Sequence, residues 1–190
     1  MITGSQGAFG SALKRALEGK GARGVGVRFG VDWTYSDYSR LEEKLREADV
    51  LILSHGSKKE QAMAANCTSW VALINRYRQL RREAGKPSEI WGLGSEIELH
   101  PAWGIKDLEA YLESKRAFAH YAAKLYRDPD LIYRHIVPSA FRSRMGFGLM
   151  SAKTAVRIAL FFLERDWRYI PVTYTGFAFF NYLRFRKLGA

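Results

Sequence analysis

The chain has 190 residues, with 30 Lys and Arg against 19 Asp and Glu and a formal net charge of +11. Apolar residues make up 47% and charged residues 26%, which fits one globular domain and excludes a disordered, collagen-like or disulfide-stapled chain. Cys67 has no internal partner, no apolar run reaches the roughly 20 residues of a spanning helix, and the opening reads as free of a signal peptide, so a cytoplasmic protein is expected.

Apolar runs and helical patterns alternate along the chain. Met1-Ile2 is the stub of a first strand, and Ser11 to Glu18 a helix with Leu13, Ala16 and Leu17 on one stripe. Gly19-Lys20-Gly21 stops it. Val25 to Phe29 reads as a second strand and Val31-Asp32-Trp33 as a short third. Ser39 to Ala48 is a helix, and Val50 to Leu53 a continuous apolar strand of the kind buried on both faces of a parallel sheet. Glu60 to Ala84 is a long helix, Glu89 to Leu93 a strand, and Asp107 to Tyr126 a second long helix. Leu131 to Val137, Ser151 to Glu164 and Tyr169 to Thr173 read as strand, helix and strand. The alternation predicts an α/β fold with a doubly wound, mostly parallel sheet.

Thr3-Gly4-Ser5-Gln6-Gly7-Ala8-Phe9-Gly10 sits between the first strand and its helix. Gly4 allows a tight bend, Gly7 a close approach of backbone N–H groups to a pyrophosphate, and Gly10 close packing of helix on sheet. The helix N-terminus then faces the anion. Arg28 ends the second strand, where a doubly wound fold meets the adenosine ribose; an arginine there suits the 2′-phosphate of NADP(H). An exposed strand-end arginine would look the same.

Tyr111-Leu112-Glu113-Ser114-Lys115 puts Tyr and Lys four residues apart, on one helix face. A phenol near pKa 10 is a poor acid–base group at neutral pH, and a neighbouring ammonium stabilises its phenolate. Such a pair can exchange a proton with an alcohol oxygen.

With these motifs in order, the chain resembles the short-chain dehydrogenase/reductase family over nearly its whole length. Thr3 to Gly10, with Gly4, Ser5, Gln6, Gly7, Phe9 and Gly10, is similar to the family's T-G-x-x-G-x-x-G cofactor turn. Asp32, next to Trp33, sits where the family has an aspartate beside the adenine. Ser54-His55-Gly56 takes the place of its N-A-G segment, Asn66 that of its helix asparagine, and Ser95 that of its active-site serine. Tyr111 and Lys115 match Y-x-x-x-K, and Pro138 to Ser143 is similar to the P-G-x-x-x-T loop at the nicotinamide. The resemblance implies hydride transfer between NADP(H), favoured over NAD(H), and an alcohol or ketone. Tyr111 would be the general acid or base and Ser95 would polarise the substrate oxygen. Lys115 would lower the tyrosine pKa and hold the ribose, and Asn66 would place a water in a proton relay.

The sequence departs from that pattern in places. Two apolar residues precede Thr3, so the chain reads as abrupt or trimmed from a longer polypeptide. Phe29-Gly30-Val31 leaves no room for the usual helix between the second and third strands. Ser54-His55 stands for Asn-Ala, and Ser139 for the loop glycine. These departures keep a second reading alive, a non-catalytic dinucleotide-binding module of a larger protein. The charge keeps a third, a polyanion-binding protein.

His55, His100, His120 and His135 lack metal-pair spacing, so no metal site is expected. Cys67 reads as a small buried hydrophobe. Ile97, Leu99 and Trp103 would line an apolar substrate pocket. The resemblance implies a homodimer or tetramer through the two long helices, with Trp70, Leu73, Tyr77, Leu80, Phe118 and Tyr121 as contacts. The tail from Thr175 is aromatic and basic: Phe177, Phe179, Phe180, Tyr182, Leu183 and Phe185 stand with Arg184, Arg186 and Lys187. It reads either as a segment packed into the sheet or a partner subunit, or as a peripheral contact with anionic headgroups. Nucleic acid is not an expected partner.

Overall fold

A computed structural model describes residues 1–59, 61–99, 108–143, 146 and 148–187, with the side chains at 184, 186 and 187 left aside. Glu60, His100, Trp103 and Asp107 lie outside the described residues.

Six parallel strands form one sheet in the order β2-β1-β3-β4-β5-β6. They are β1 (Ile2–Thr3), β2 (Gly26–Val27), β3 (Val50–Leu53), β4 (Ser88–Leu93), β5 (Leu131–Pro138) and β6 (Tyr169–Val172). The helices are α1 (Ala8–Glu18), α2 (Glu42–Glu47), α3 (Ser69–Glu83), α4 (Glu109–Arg127), α5 (Ala152–Leu163) and α6 (Phe177–Lys187). The chain leaves β1 toward β2 and returns on the other side of β1 at β3. This reversal is a topological switch point, where doubly wound folds open a crevice at the strands' carboxyl ends.

The sheet separates two cores. On one face Leu45, Trp70, Leu73, Tyr77, Leu80, Phe118 and Phe185 pack beneath α2, α3, α4 and α6. On the other, Phe9, Leu13, Val156 and Leu160 pack beneath α1 and α5. Trp70, Leu73, Tyr77, Leu80 and Phe118 are fully buried inside this chain. They therefore cannot supply the subunit contacts expected of them; an amphipathic helix gives its apolar stripe to its own sheet first. Tyr121 is half-buried, and its hydroxyl donates to Asn75 Oδ1 at 2.9 Å.

The expected third strand does not form. Gly30 turns the chain back with φ +78°. The Gly30 N–H donates to the Trp33 carbonyl at 2.7 Å, the Asp32 N–H donates to the Arg28 carbonyl at 2.9 Å, and the Arg28 N–H donates to Asp32 Oδ2 at 2.8 Å. Backbone groups that a strand would offer to a neighbour are spent locally, and only a bridge from Phe29 to Trp33 is left. The helix expected to be missing here is indeed missing, and its strand with it.

The long helix before β4 is not uniform. Ala64–Thr68 forms a widened turn in which the Ser69 N–H reaches back five residues to the Ala64 carbonyl. Such a turn is rare and is found frequently at functional sites. Asn66 lies within it.

Candidate active site

The carboxyl ends of β1, β3, β4 and β5 bring the predicted residues to one edge of the sheet. After β1, Gly4 has φ +64°, and a Cβ there would lie 2.6 Å from the His55 backbone nitrogen. A Cβ on Gly10 would lie 2.4 Å from the Gly4 carbonyl oxygen and 2.6 Å from Ser54 Oγ. Only glycine allows β1, α1 and β3 to approach this closely. The Gly7 N–H donates to the Gly4 carbonyl at 2.8 Å, and Gly7 caps α1 with no side chain. Ser5 Oγ lies against Gly26 of β2, Gln6 is exposed, and Phe9 is buried with its ring 5.9 Å from that of Phe141. The N–H groups opening α1 thus meet no side-chain cap, and its first turn has no acid, so the turn suits a pyrophosphate.

Arg28 is exposed, but Asp32 is bound to the Arg28 N–H and to Lys44 Nζ at 2.7 Å. These bonds, the one to Lys44 foremost, hold its carboxyl below the ordinary range. Trp33 is buried, its ring centre 4.8 Å from that of His55 in an edge-on arrangement.

At the end of β3, Ser54 Oγ donates to the Thr3 carbonyl at 2.6 Å. His55 lies between Thr3 Oγ1 at 2.7 Å and Ser69 Oγ at 3.0 Å. Burial, with Lys115 adding repulsion, pushes its pKa down to about 3, so the ring stays neutral. A Cβ on Gly56 would meet Asn66 Oδ1 at 2.4 Å. Asn66 accepts from the Ser57 N–H at 3.0 Å, and its Nδ2 donates to the Ser57 carbonyl at 2.7 Å and to Ser114 Oγ at 2.9 Å. It joins the widened turn, the loop after β3 and α4.

Tyr111, Ser95 and Lys115 come together. Burial pushes the Tyr111 phenol up to about 12 against the bond it shares with Ser95, so the lowering expected from Lys115 does not occur here. Lys115 is buried; its Nζ donates to the Leu93 carbonyl at 2.8 Å and lies 4.6 Å from the Trp70 ring centre and 5.9 Å from that of Tyr111. Burial pulls its pKa down to about 8. Pro138 ends β5, and Ser143 makes a bridge with Gly146. Ser139 is buried and donates to Glu96 Oε2 at 2.6 Å. Ile97 donates its N–H to Ser95 Oγ, and Leu99 lines a cavity of about 300 Å³ with Glu98, Arg116 and Phe185.

Three residues at this edge went unread in the sequence. Lys58 Nζ lies 5.5 Å from the Tyr111 ring centre. Glu98 accepts the Ser95 N–H through Oε1 at 2.8 Å, and its Oε2 meets His135 Nε2 at 3.1 Å. Glu96 gathers hydroxyls from Ser139, Thr173 and Thr175. Ser95-Glu96-Ile97-Glu98 carries the S-x-x-E spacing of a capping box, so Glu98 was findable. Lys58 and Glu96 had no local signal.

Known proteins with this fold are numerous among solved structures. The bulky-bulky ketone specific alcohol dehydrogenase from Comamonas testosteroni superposes with a TM-score of 0.73 at 19% identity, over 99% of this chain and 91% of that one. The chain has the fold of the short-chain dehydrogenases. A short-chain dehydrogenase from Sphingobium yanoikuyae in complex with NADPH gives 0.70 at 17% identity, over 99% and 92% of the two chains. One from Burkholderia cenocepacia J2315 in complex with NADP gives 0.74 at 14%, over 98% and 93%. No family model matches the sequence. The monoglucosyldiacylglycerol epimerase of Synechocystis sp. is 26% identical over 222 residues, covering 97% of this chain and 53% of that protein. The chain thus spans about half the length of this curated relative. Among the described residues no His, Cys, Asp and Glu cluster could hold a metal ion, and no helix is long and apolar enough to cross a membrane.

Proposed function

We propose that this short-chain dehydrogenase fold carries an NADP(H)-dependent oxidoreductase acting on the carbonyl or alcohol group of a small or lipid-like substrate. The observation that carries the reading is the meeting of Ser95, Tyr111 and Lys115 at the edge where the Gly4–Gly10 turn opens. The turn fits a dinucleotide: Gly4 and Gly10 admit no Cβ, and the first N–H groups of α1 have no side-chain cap. When bound, the nicotinamide supplies the hydride.

This chain's own residues then handle the oxygen and the proton. The hydroxyls of Ser95 and Tyr111 donate to the carbonyl oxygen, and Tyr111 delivers its proton as the alcohol forms. A phenol held near 12 is protonated at neutral pH, which suits the reducing direction. Lys115 is the ribose-holding cation and Arg28 reads the 2′-phosphate. Asn66 fixes the spacing of α3 and α4 beneath them.

A second reading is favoured by the epimerase relative. Oxidation of a hydroxyl and reduction of the resulting ketone from its other face would invert one carbon with no net redox change, using the same Tyr111 and Ser95. Titration with NADPH and NADH, followed by a ketone and alcohol panel, tests both. Saturable NADPH binding with turnover that Tyr111→Phe abolishes, cofactor binding being kept, is expected. Binding without turnover on any substrate would make the chain a dinucleotide-binding module.

A further inference from the structure

Helix α6 is apolar on two sides. Ala178 and Phe185 are buried, and Phe185 stacks on the His135 ring at 4.7 Å. Phe179, Phe180 and Leu183 point away from the core, 52%, 81% and 65% exposed. A helix facing water along one side carries polar residues there; one that is apolar all round needs a second apolar environment. Three large side chains on consecutive turns of one short helix exceed the scattered exposure of ordinary surfaces.

The patch continues to the mouth of the site. Tyr174 and Phe177, both exposed, lead into α6 from the carboxyl end of β6. The Tyr174 hydroxyl donates to the Ala140 carbonyl at 3.2 Å, in the loop that follows β5. In that same loop Leu149 is 71% exposed. The Gly148 backbone packs on Ala140 so tightly that a Cβ there would lie 2.3 Å from the Ala140 oxygen. Glu96, one residue beyond Ser95, binds the hydroxyls of Ser139, Thr173 and Thr175. It therefore fixes both apolar segments to the edge that carries Ser95.

Charge selects the occupant. Segments 139–150 and 173–187 contain Arg142, Arg144, Arg184, Arg186 and Lys187 and no acidic residue. Segments of sequence that interleave aromatic and aliphatic residues with cations, without anions, suit an interface with apolar depth and negative headgroups. From this we infer that α6 and the Tyr174–Leu149 rim seat the protein on an anionic lipid surface, with the mouth of the site next to the bilayer. The seating is independent of the reaction proposed above, because it needs neither cofactor nor turnover.

Flotation of the purified full chain with vesicles reads this directly. The chain is expected to float with phosphatidylcholine–phosphatidylglycerol vesicles, less with phosphatidylcholine alone, and less in high salt. Phe180→Ser with Leu183→Ser should weaken partitioning by at least about tenfold, since two large apolar side chains are lost from the lipid-facing side. The melting temperature and NADPH binding should hold. Should the double variant melt early, Leu149→Ser, on a separate segment, should still weaken flotation several-fold. Three results would overturn the inference: wild type staying unbound on the anionic vesicles at low salt, variants floating as well as wild type, or light scattering showing that the double substitution splits an oligomer while flotation is unchanged. The last would make the face a contact between copies.

Discussion

Glu98 holds Ser95 from below: the Ser95 N–H donates to Oε1 at 2.8 Å, while Oε2 meets His135 Nε2 at 3.1 Å. The His135 Nδ1 lies 3.0 Å from the Tyr133 hydroxyl. A carboxylate only accepts, so His135 Nε2 donates to Glu98, and both ring nitrogens have a partner. Glu98 and His135 are almost fully buried. Removing the carboxylate strands the buried His135 Nε2–H, at about 1–3 kcal/mol, and frees the part-buried Ser95 N–H. Glu98→Ala should lower the urea midpoint and raise the KM for the carbonyl substrate, with the NADPH Kd unchanged. Glu98→Gln, which keeps an acceptor for Ser95, should recover most of both.

Gly10 is the tightest point between α1 and the sheet. A Cβ would meet backbone oxygen at 2.4 Å, which no rotamer change relieves. Gly10→Ala should cost about 1–3 kcal/mol of stability through overpacking and weaken NADPH binding as α1 moves away. Thermal unfolding and a tryptophan-fluorescence titration read the two effects.

Lys115 links activity and stability to pH in opposite directions. Burial lowers its pKa from 10.5 to about 8 in the folded chain. Between those two values the unfolded chain holds one proton more than the folded one. Stability attributable to this group is therefore lowest below pH 8 and rises by about 1.4 kcal/mol per pH unit up to 10.5. Activity that needs the ammonium should fall over the same range. Urea midpoints at pH 8 and pH 10 should show the gain in wild type and lack it in Lys115→Met.

Arg28 should discriminate between cofactors. Arg28→Ala is expected to weaken NADPH binding about tenfold, the scale of one charge-assisted hydrogen bond, and to leave NADH binding unchanged. An equal loss for both cofactors would place the guanidinium away from the phosphate.

Much of the fold was legible because parallel strands buried on both faces are written as apolar runs, as in Val50–Leu53, and helices as stripes. The Gly4–Gly10 turn was legible because its two ends, Gly4 and Gly10, leave no room for a Cβ and so mark the turn in the sequence. The third strand was misread because Val31-Asp32-Trp33 has strand-like residues, while Gly30 and the Asp32 carboxylate, acting across a few residues, use up its hydrogen bonds. The apolar stripes of the long helices were misassigned to a partner, since a sequence marks a buried face without saying what buries it.

The sequence by itself determined the alternation of strands and helices, the glycine turn and the Tyr111–Lys115 pair, all set by local chemistry within a few residues. Only the tertiary structure decided that Lys115 turns to Leu93, that Tyr111 is desolvated to about 12, and that Glu98 and His135 sit beneath Ser95. Those outcomes depend on burial and on contacts between residues far apart in the chain, and neither has a local signature.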